Sequence, residues 1–147
     1  MKLSIKTLTL IFALVWPLGA SAQSTDGPRL SGELLQTVET IVGGQISAFK
    51  ARDHEKAFSY AAPSIQQIFG STDRFIRMVK NGYGAIYGAQ QWSFGRGEAQ
   101  GDKLIQEVLI TGPAGKNWVA LYTLKQQSDG SWRISGVTMK AAELQST

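Results

Sequence analysis

The apolar residues of this chain change their period once. Between Leu34 and Phe49 they recur at spacings of three, four and seven; from Trp92 onward they alternate with polar residues or Gly. The first pattern is one face of a helix and the second is one face of a strand. Strands that follow one another through short turns pair antiparallel, and a helix with one apolar stripe must bury it against another layer. The predicted architecture is therefore α+β, with N-terminal helices packed on one face of a four-stranded antiparallel sheet.

Leu34, Leu35, Val38, Ile41, Val42, Ile46 and Phe49 predict an amphipathic helix over 32–52 with Ser31 as N-cap, while Glu33, Glu39, Gln45 and Lys50 point away from the stripe. Gly43-Gly44 costs the helix about 1 kcal/mol per residue relative to Ala, which a close crossing by a neighbour would explain. Asp53 can cap a second helix, Glu55 to Ala61. Pro63 suits the first position of a third that carries Ile65, Ile68 and Phe69 and ends at Gly70. Ser71 or Thr72 opens a fourth with Phe75, Ile76, Met78 and Val79, stopped by Asn81-Gly82. Residues 83–91 (YGAIYGAQQ) read as a tight connector packed on the body. Strands are predicted from Trp92, then over 103–111, 117–126 and 131–139.

Ser128-Asp129-Gly130 fits a three-residue hairpin loop with Gly in the left-handed position. That loop pairs Leu124 with Ile134 and Tyr122 with Gly136, leaving room for the Tyr122 ring. The inner face then carries Leu104, Gln106, Val108, Ile110, Trp118, Ala120, Tyr122, Leu124, Trp132 and Ile134. Gln106 on that face must find a hydrogen-bond partner or a ligand. Glu107 points outward, as do Ile105, Leu109, Val119, Leu121, Val137 and Met139. So much apolar surface on an outer face fits a homodimer packed through it.

Residues 1–22 have the form of a signal peptide. Lys2 and Lys6 precede an apolar run from Leu8 to Trp16, Pro17 and Gly19 break it, and Ala20-Ser21-Ala22 is a cleavage site before Gln23. The run is about half the roughly 20 residues needed to span a bilayer, so no stable membrane anchor is expected after cleavage. The implied location is periplasmic or secreted. Residues 23–30 read as a flexible leader, and 31–147 as one domain. Removing 22 of 147 residues leaves 125, and losing Lys2 and Lys6 lowers the net charge from +4 to about +2. With no Lys/Arg cluster longer than two, nucleic acid is not an expected partner. The chain has no Cys and one His, which excludes disulfides, Cys-ligated metals, Cys nucleophiles and multi-imidazole sites.

The stretches ISAFKARDHEKAFSYAAPSIQQIFG (46–70), FIRMVKNGY (75–83), IQEV (105–108) and WVALYTLKQQSDGSWRISGV (118–137) resemble a bacterial family of exported proteins known only as a domain of unknown function, DUF4864. The layout also resembles the NTF2-like superfamily. That resemblance implies a curved sheet wrapped around the first helix to form a cone with a pocket. The superfamily holds enzymes, ligand binders and docking modules, so layout does not decide function.

Proton-transfer chemistry of the ketosteroid-isomerase type needs a carboxylate in an apolar pocket beside a Tyr. Asp53, Glu55 and Asp73 are explained by helix starts, Asp129 by a turn, and Glu107 faces out. His54, in RDHEK, reads as a solvated side chain near a helix start, and no Gly-x-Ser-x-Gly elbow accompanies it. No metal or cofactor is implied. Phe49, Phe58, Phe69 and Phe75 read as core. Tyr83, Tyr87, Trp92, Gln106, Trp118 and Tyr122 are the candidates for lining a ligand pocket, since Tyr and Trp pair an apolar body with a polar tip. The expected function is non-catalytic binding of a small apolar ligand or a partner protein. The alternative is an isomerase-like enzyme using a buried carboxylate and a Tyr.

Overall fold

The computed structural model describes residues 30–143. The predicted signal peptide and all of the predicted leader except Leu30 lie outside that range. Leu30 itself is buried, so the packed body includes at least one residue before the predicted boundary.

Among the described residues, five α-helices precede four strands. They are α1 (Gly32–Lys50), α2 (His54–Ser59), α3 (Pro63–Phe69), α4 (Thr72–Gly82), α5 (Gly84–Tyr87), β1 (Gln91–Gln100), β2 (Lys103–Thr111), β3 (Asn117–Gln126) and β4 (Trp132–Ala141). Asp53 accepts from the Lys56 amide at 3.2 Å and Ser71 from the Arg74 amide at 3.4 Å, so two predicted caps form. Ser31 makes no side-chain cap; Gly32 behind it is left-handed, with φ of +57°. The second helix stops at Ser59 rather than Ala61 because the next residues join the sheet. The Ala62 amide donates to the Ile134 carbonyl at 2.8 Å and the Ile134 amide to the Tyr60 carbonyl at 2.9 Å. The connector over 83–91 closes into the one-turn α5 and then enters β1.

Gly44 is where the ring of Tyr60, the residue just past α2, packs on α1. A Cβ built there would lie 2.7 Å from Tyr60 Cζ, closer than real Cβ contacts come, so the helix-weakening Gly leaves room for that ring.

The sheet is antiparallel throughout, in the order β1-β2-β3-β4, and β1 does not pair with β4, so it is curved but unclosed. β2 and β3 run in unbroken register from Lys103–Lys125 to Thr111–Asn117. The β3–β4 loop is the predicted three-residue turn. The Gln127 amide donates to the Ser131 carbonyl at 2.7 Å, and Gly130 takes the left-handed φ of +84°. Leu124 faces Ile134 as expected.

Beyond that pair the expectation fails. The register shifts between Leu124 and Thr123, so that Thr123 faces Gly136 and Tyr122 faces Val137. Ser135 is the extra residue, and its hydroxyl donates to the Thr123 carbonyl at 3.2 Å. One inserted residue moves every later side chain to the opposite face. Val137 and Met139, expected outside, therefore pair with the inner residues Tyr122 and Ala120 and pack on the core.

A second bulge places Gly95 and Arg96 together opposite Glu107. Bulges bend the strand that carries them. With one near each edge of the sheet, its inner face curves round α1. Val38, Val42, Ile46 and Phe49 of α1 meet Leu104, Val108, Ala120, Tyr122, Leu124 and Ile134, all buried. Among the described residues, no helix is long and apolar enough to cross a membrane.

Candidate functional site

The helices and sheet do not close completely on one another. Between them lies a cavity of about 340 Å³, at the lower end of the roughly 300–1,000 Å³ of small-molecule sites. Three groups of side chains build it. The floor is Tyr122 on β3 with Ile134 and Val137 on β4. Val137 belongs there only because of the Ser135 bulge. One wall is Phe49 of α1 with Phe75 and Val79 of α4; the Phe49 and Phe75 rings stack at 6.3 Å. The mouth is edged by Ile65, Ile68 and Phe69 of α3 and by Met78. α3 buries none of its residues, and Ile68 is 75% exposed. Such an isoleucine leaves apolar surface in water at the cavity entrance.

Three of the lining residues carry polar groups. Gln45 donates its amide to the Ala57 carbonyl at 3.1 Å. The Tyr83 hydroxyl donates to the Val137 carbonyl at 3.0 Å, tying the α4–α5 junction to the sheet. The Tyr122 hydroxyl is buried and has no hydrogen-bond partner among the described residues. Burial pushes its pKa far above the ordinary phenol value, so it stays protonated. Among the described residues, no charged side chain lines the cavity.

Of the six residues predicted to converge on a pocket, the structure brings Tyr83 and Tyr122 together here. The other four lie elsewhere. Tyr87 sits where α1 ends; its hydroxyl is 2.9 Å from His54 Nε2 and the Arg52 guanidinium lies 4.2 Å over its ring. His54 is thereby half-buried rather than fully solvated. Trp92 and Trp118 line a separate surface depression at the far end of the sheet, with Ile110 and Ala142. Trp118 is on the predicted face but near the sheet's end, where cover is partial, and Lys116 Nζ lies 4.7 Å over its ring. Gln106 is fully buried and spends its amide on the β1 bulge. Nε2 lies 3.1 Å from the Gly95 and Arg96 carbonyls and 2.8 Å from that of Glu107. A bulge exposes carbonyls that the ladder no longer uses, and Gln106 answers them.

Glu107 lies on the outer face as predicted, 3.2 Å from Arg96 in an ion pair. The carboxylate that the isomerase alternative requires is therefore not beside Tyr83 or Tyr122, and among the described residues no Asp or Glu lines the cavity.

Gln45, Ile65, Met78 and Val137 were not among the predicted lining residues. Gln45 had a readable signal. It falls three residues after Val42 and seven after Val38, on the buried stripe, and is 3% exposed rather than pointing away. Val137 had none, since its place depends on the bulge.

The profile of the family described as Domain of unknown function (DUF4864) matches residues 33–147. The chain belongs to that family. Among solved structures, it is similar to an NTF-2 like protein of unknown function from Silicibacter pomeroyi DSS-3, at 19% identity. The match covers 75% of this chain and 97% of that one, with a TM-score of 0.53. At that identity the likeness establishes the NTF2-like fold and nothing of the activity. No curated protein matches the chain.

Proposed function

We propose that this NTF2-like domain is an exported binding protein that holds a small, largely hydrocarbon molecule between its helices and its sheet. The observation that carries the reading is a cavity of about 340 Å³ that no charged side chain lines among the described residues. Burial of apolar ligand surface there contributes roughly 25 cal/mol per Å². Without a lining carboxylate, binding is favoured over proton-transfer catalysis.

Native mass spectrometry of protein purified under gentle conditions from its own host tests the proposal. A bound species of a few hundred daltons is expected, and Ile65→Trp, which fills the mouth from a half-buried position, should remove it. Failure to retain any species, with hydrophobic probes equally unaffected by Ile65→Trp, contradicts it.

Export rests on the form of residues 1–22. The mature protein should begin at Gln23, and an intact N-terminus at Met1 in the cell refutes export by this route. A second reading rests on Leu109 and Leu121, which are 44% and 43% exposed on the outer sheet face. With Ile105 and Val119 they would seat a second copy of the chain. Light scattering should then give a dimer that Leu121→Lys converts to monomer, and a wild-type monomer at high concentration excludes it.

A further inference from the structure

Basic side chains from separate parts of the helical layer gather round the ring of Tyr87. The Arg52 guanidinium lies 4.2 Å from its centroid and Lys80 Nζ 5.2 Å, while His54 Nε2 is 2.9 Å from its hydroxyl. Lys50 and Arg52 share with Tyr87 a surface groove of about 280 Å³, whose remaining wall is Gly88, Ala89 and Gln90. The groove and the apolar cavity have no lining residue in common.

The positive charge in this groove is held in place but not neutralised. Arg52 Nη1 lies 3.4 Å from the Phe49 carbonyl and 3.5 Å from that of Tyr87, and the Lys50 amine donates to the Gln90 carbonyl at 3.1 Å. Carbonyls accept hydrogen bonds without supplying a full charge. The ion pairs among the described residues, Arg96–Glu107 and Lys125–Asp102, involve none of Lys50, Arg52 and Lys80. Arg52 also sits at φ of +60°, the left-handed position just past a helix where Gly is the usual residue. Its side chain is therefore present at a backbone cost, which points to a use for the guanidinium.

The donors left for a ligand are on side chains, because the amides of Gly88, Ala89 and Gln90 are spent on the carbonyls of Gly84, Ile86 and Thr111. Most N–H groups of Arg52 and Lys50 remain unused. A guanidinium fork matches a pair of phosphate oxygens, and an ammonium serves a further oxygen as a point charge. A dianion also gains more from neighbouring cations than a monoanion does.

We propose that this groove binds the terminal phosphate of a phosphate monoester, with the Arg52 guanidinium as the forked donor and the Lys50 ammonium as the second cation. Lys80, across the Tyr87 ring, adds to the local positive potential. The site is independent of the cavity, so its failure leaves the binding reading above untouched.

An NMR titration of 15N-labelled protein with inorganic phosphate at low ionic strength tests it, with acetate as the singly charged control. Phosphate should shift the amide signals of Arg52, Tyr87 and Gln90 and bind about tenfold more tightly than acetate. Arg52→Gly removes the guanidinium and suits the left-handed backbone, so the fold persists and phosphate affinity should fall about tenfold. Lys103→Gln, an exposed lysine on β2, should leave it unchanged. Shifts spread over the sheet lysines, no preference over acetate, or affinity that survives Arg52→Gly overturns the proposal. Glycerol 3-phosphate and vesicles containing phosphatidic acid then separate the sources. Binding of the first alone supports a soluble ester, vesicle retention that inorganic phosphate reverses supports a lipid headgroup, and binding of neither overturns the ester assignment.

Discussion

Replacing Gln106 with Ala should destabilise the domain by about 2 kcal/mol, for reasons the bulge makes explicit. Gln106 Nε2 has two protons and faces three carbonyls, those of Gly95, Arg96 and Glu107, at 2.8–3.1 Å. Truncation leaves two carbonyls without their donor, at about 1 kcal/mol each, the low end of the usual cost because the surroundings are only part-buried. The lost side-chain methylene leaves a void that adds about 1 kcal/mol. Against this, Gln106 Oε1 is itself buried without a partner, and its removal returns about 1 kcal/mol. Urea unfolding followed by Trp fluorescence measures the result directly, and a domain of this size should lose roughly 6–10 °C in Tm. Gln106→Glu is the sharper variant. A carboxylate facing three carbonyls has its folded pKa raised above its unfolded value. Its stability is thus greatest at low pH and falls as pH rises. A Gln106→Ala loss below about 0.5 kcal/mol, or a Gln106→Glu protein no less stable at pH 8 than at pH 5, would refute the role given to this side chain.

Gly44→Ala sets about 1 kcal/mol of helix propensity against a collision with Tyr60, for a net loss of about 1–2 kcal/mol; in a Tyr60→Ala background the same change should become neutral or stabilising, and additive effects would argue against the contact. Asp129 accepts from the Ser131 amide at 2.9 Å and from its hydroxyl at 2.6 Å, and these bonds lower its pKa below 3.8. Its contribution is therefore present above the unfolded value and is lost as pH falls through the folded one; an NMR titration of its carboxyl with a midpoint at or above 3.8 contradicts this. Trp118→Ala should cost about 1–3 kcal/mol, less than a fully buried Trp, because the ring is only half-covered at the sheet's end; a loss of 4 kcal/mol or more by urea unfolding would place it in the core.

The elements were legible because their signals are local. A stripe from Val38 to Phe49, a Pro before α3, side-chain caps at Asp53 and Ser71 and a Gly in a three-residue loop each act over a few residues. The faces of β2 and β3 were legible too, since Leu104, Val108 and Leu124 carry their burial in their alternation. What could not be read was the sheet's irregularity. Ser135 is unremarkable as a residue, yet as a bulge it turns Val137 and Met139 inward and sets the cavity floor. The same holds at Gly95-Arg96, whose bulge turns Gln106 from a candidate ligand anchor into a structural one. Tyr87, Trp92 and Trp118 share the amphipathic character of Tyr83 and Tyr122. Type alone does not separate them, because which end of the sheet each occupies is set by tertiary packing. Gln45 was misread for a different reason. Its position on the stripe was visible, and its polarity outweighed it.

The most direct test of the account is where a small apolar molecule goes. With the methyl groups of the protein labelled, indane should shift the signals of Ile65, Met78, Val79, Ile134 and Val137 around the cavity while leaving those of Leu109 and Leu121 on the outer face in place. Shifts confined to the outer face, or none at any attainable concentration, would contradict the claim that the space between helices and sheet is where this protein binds.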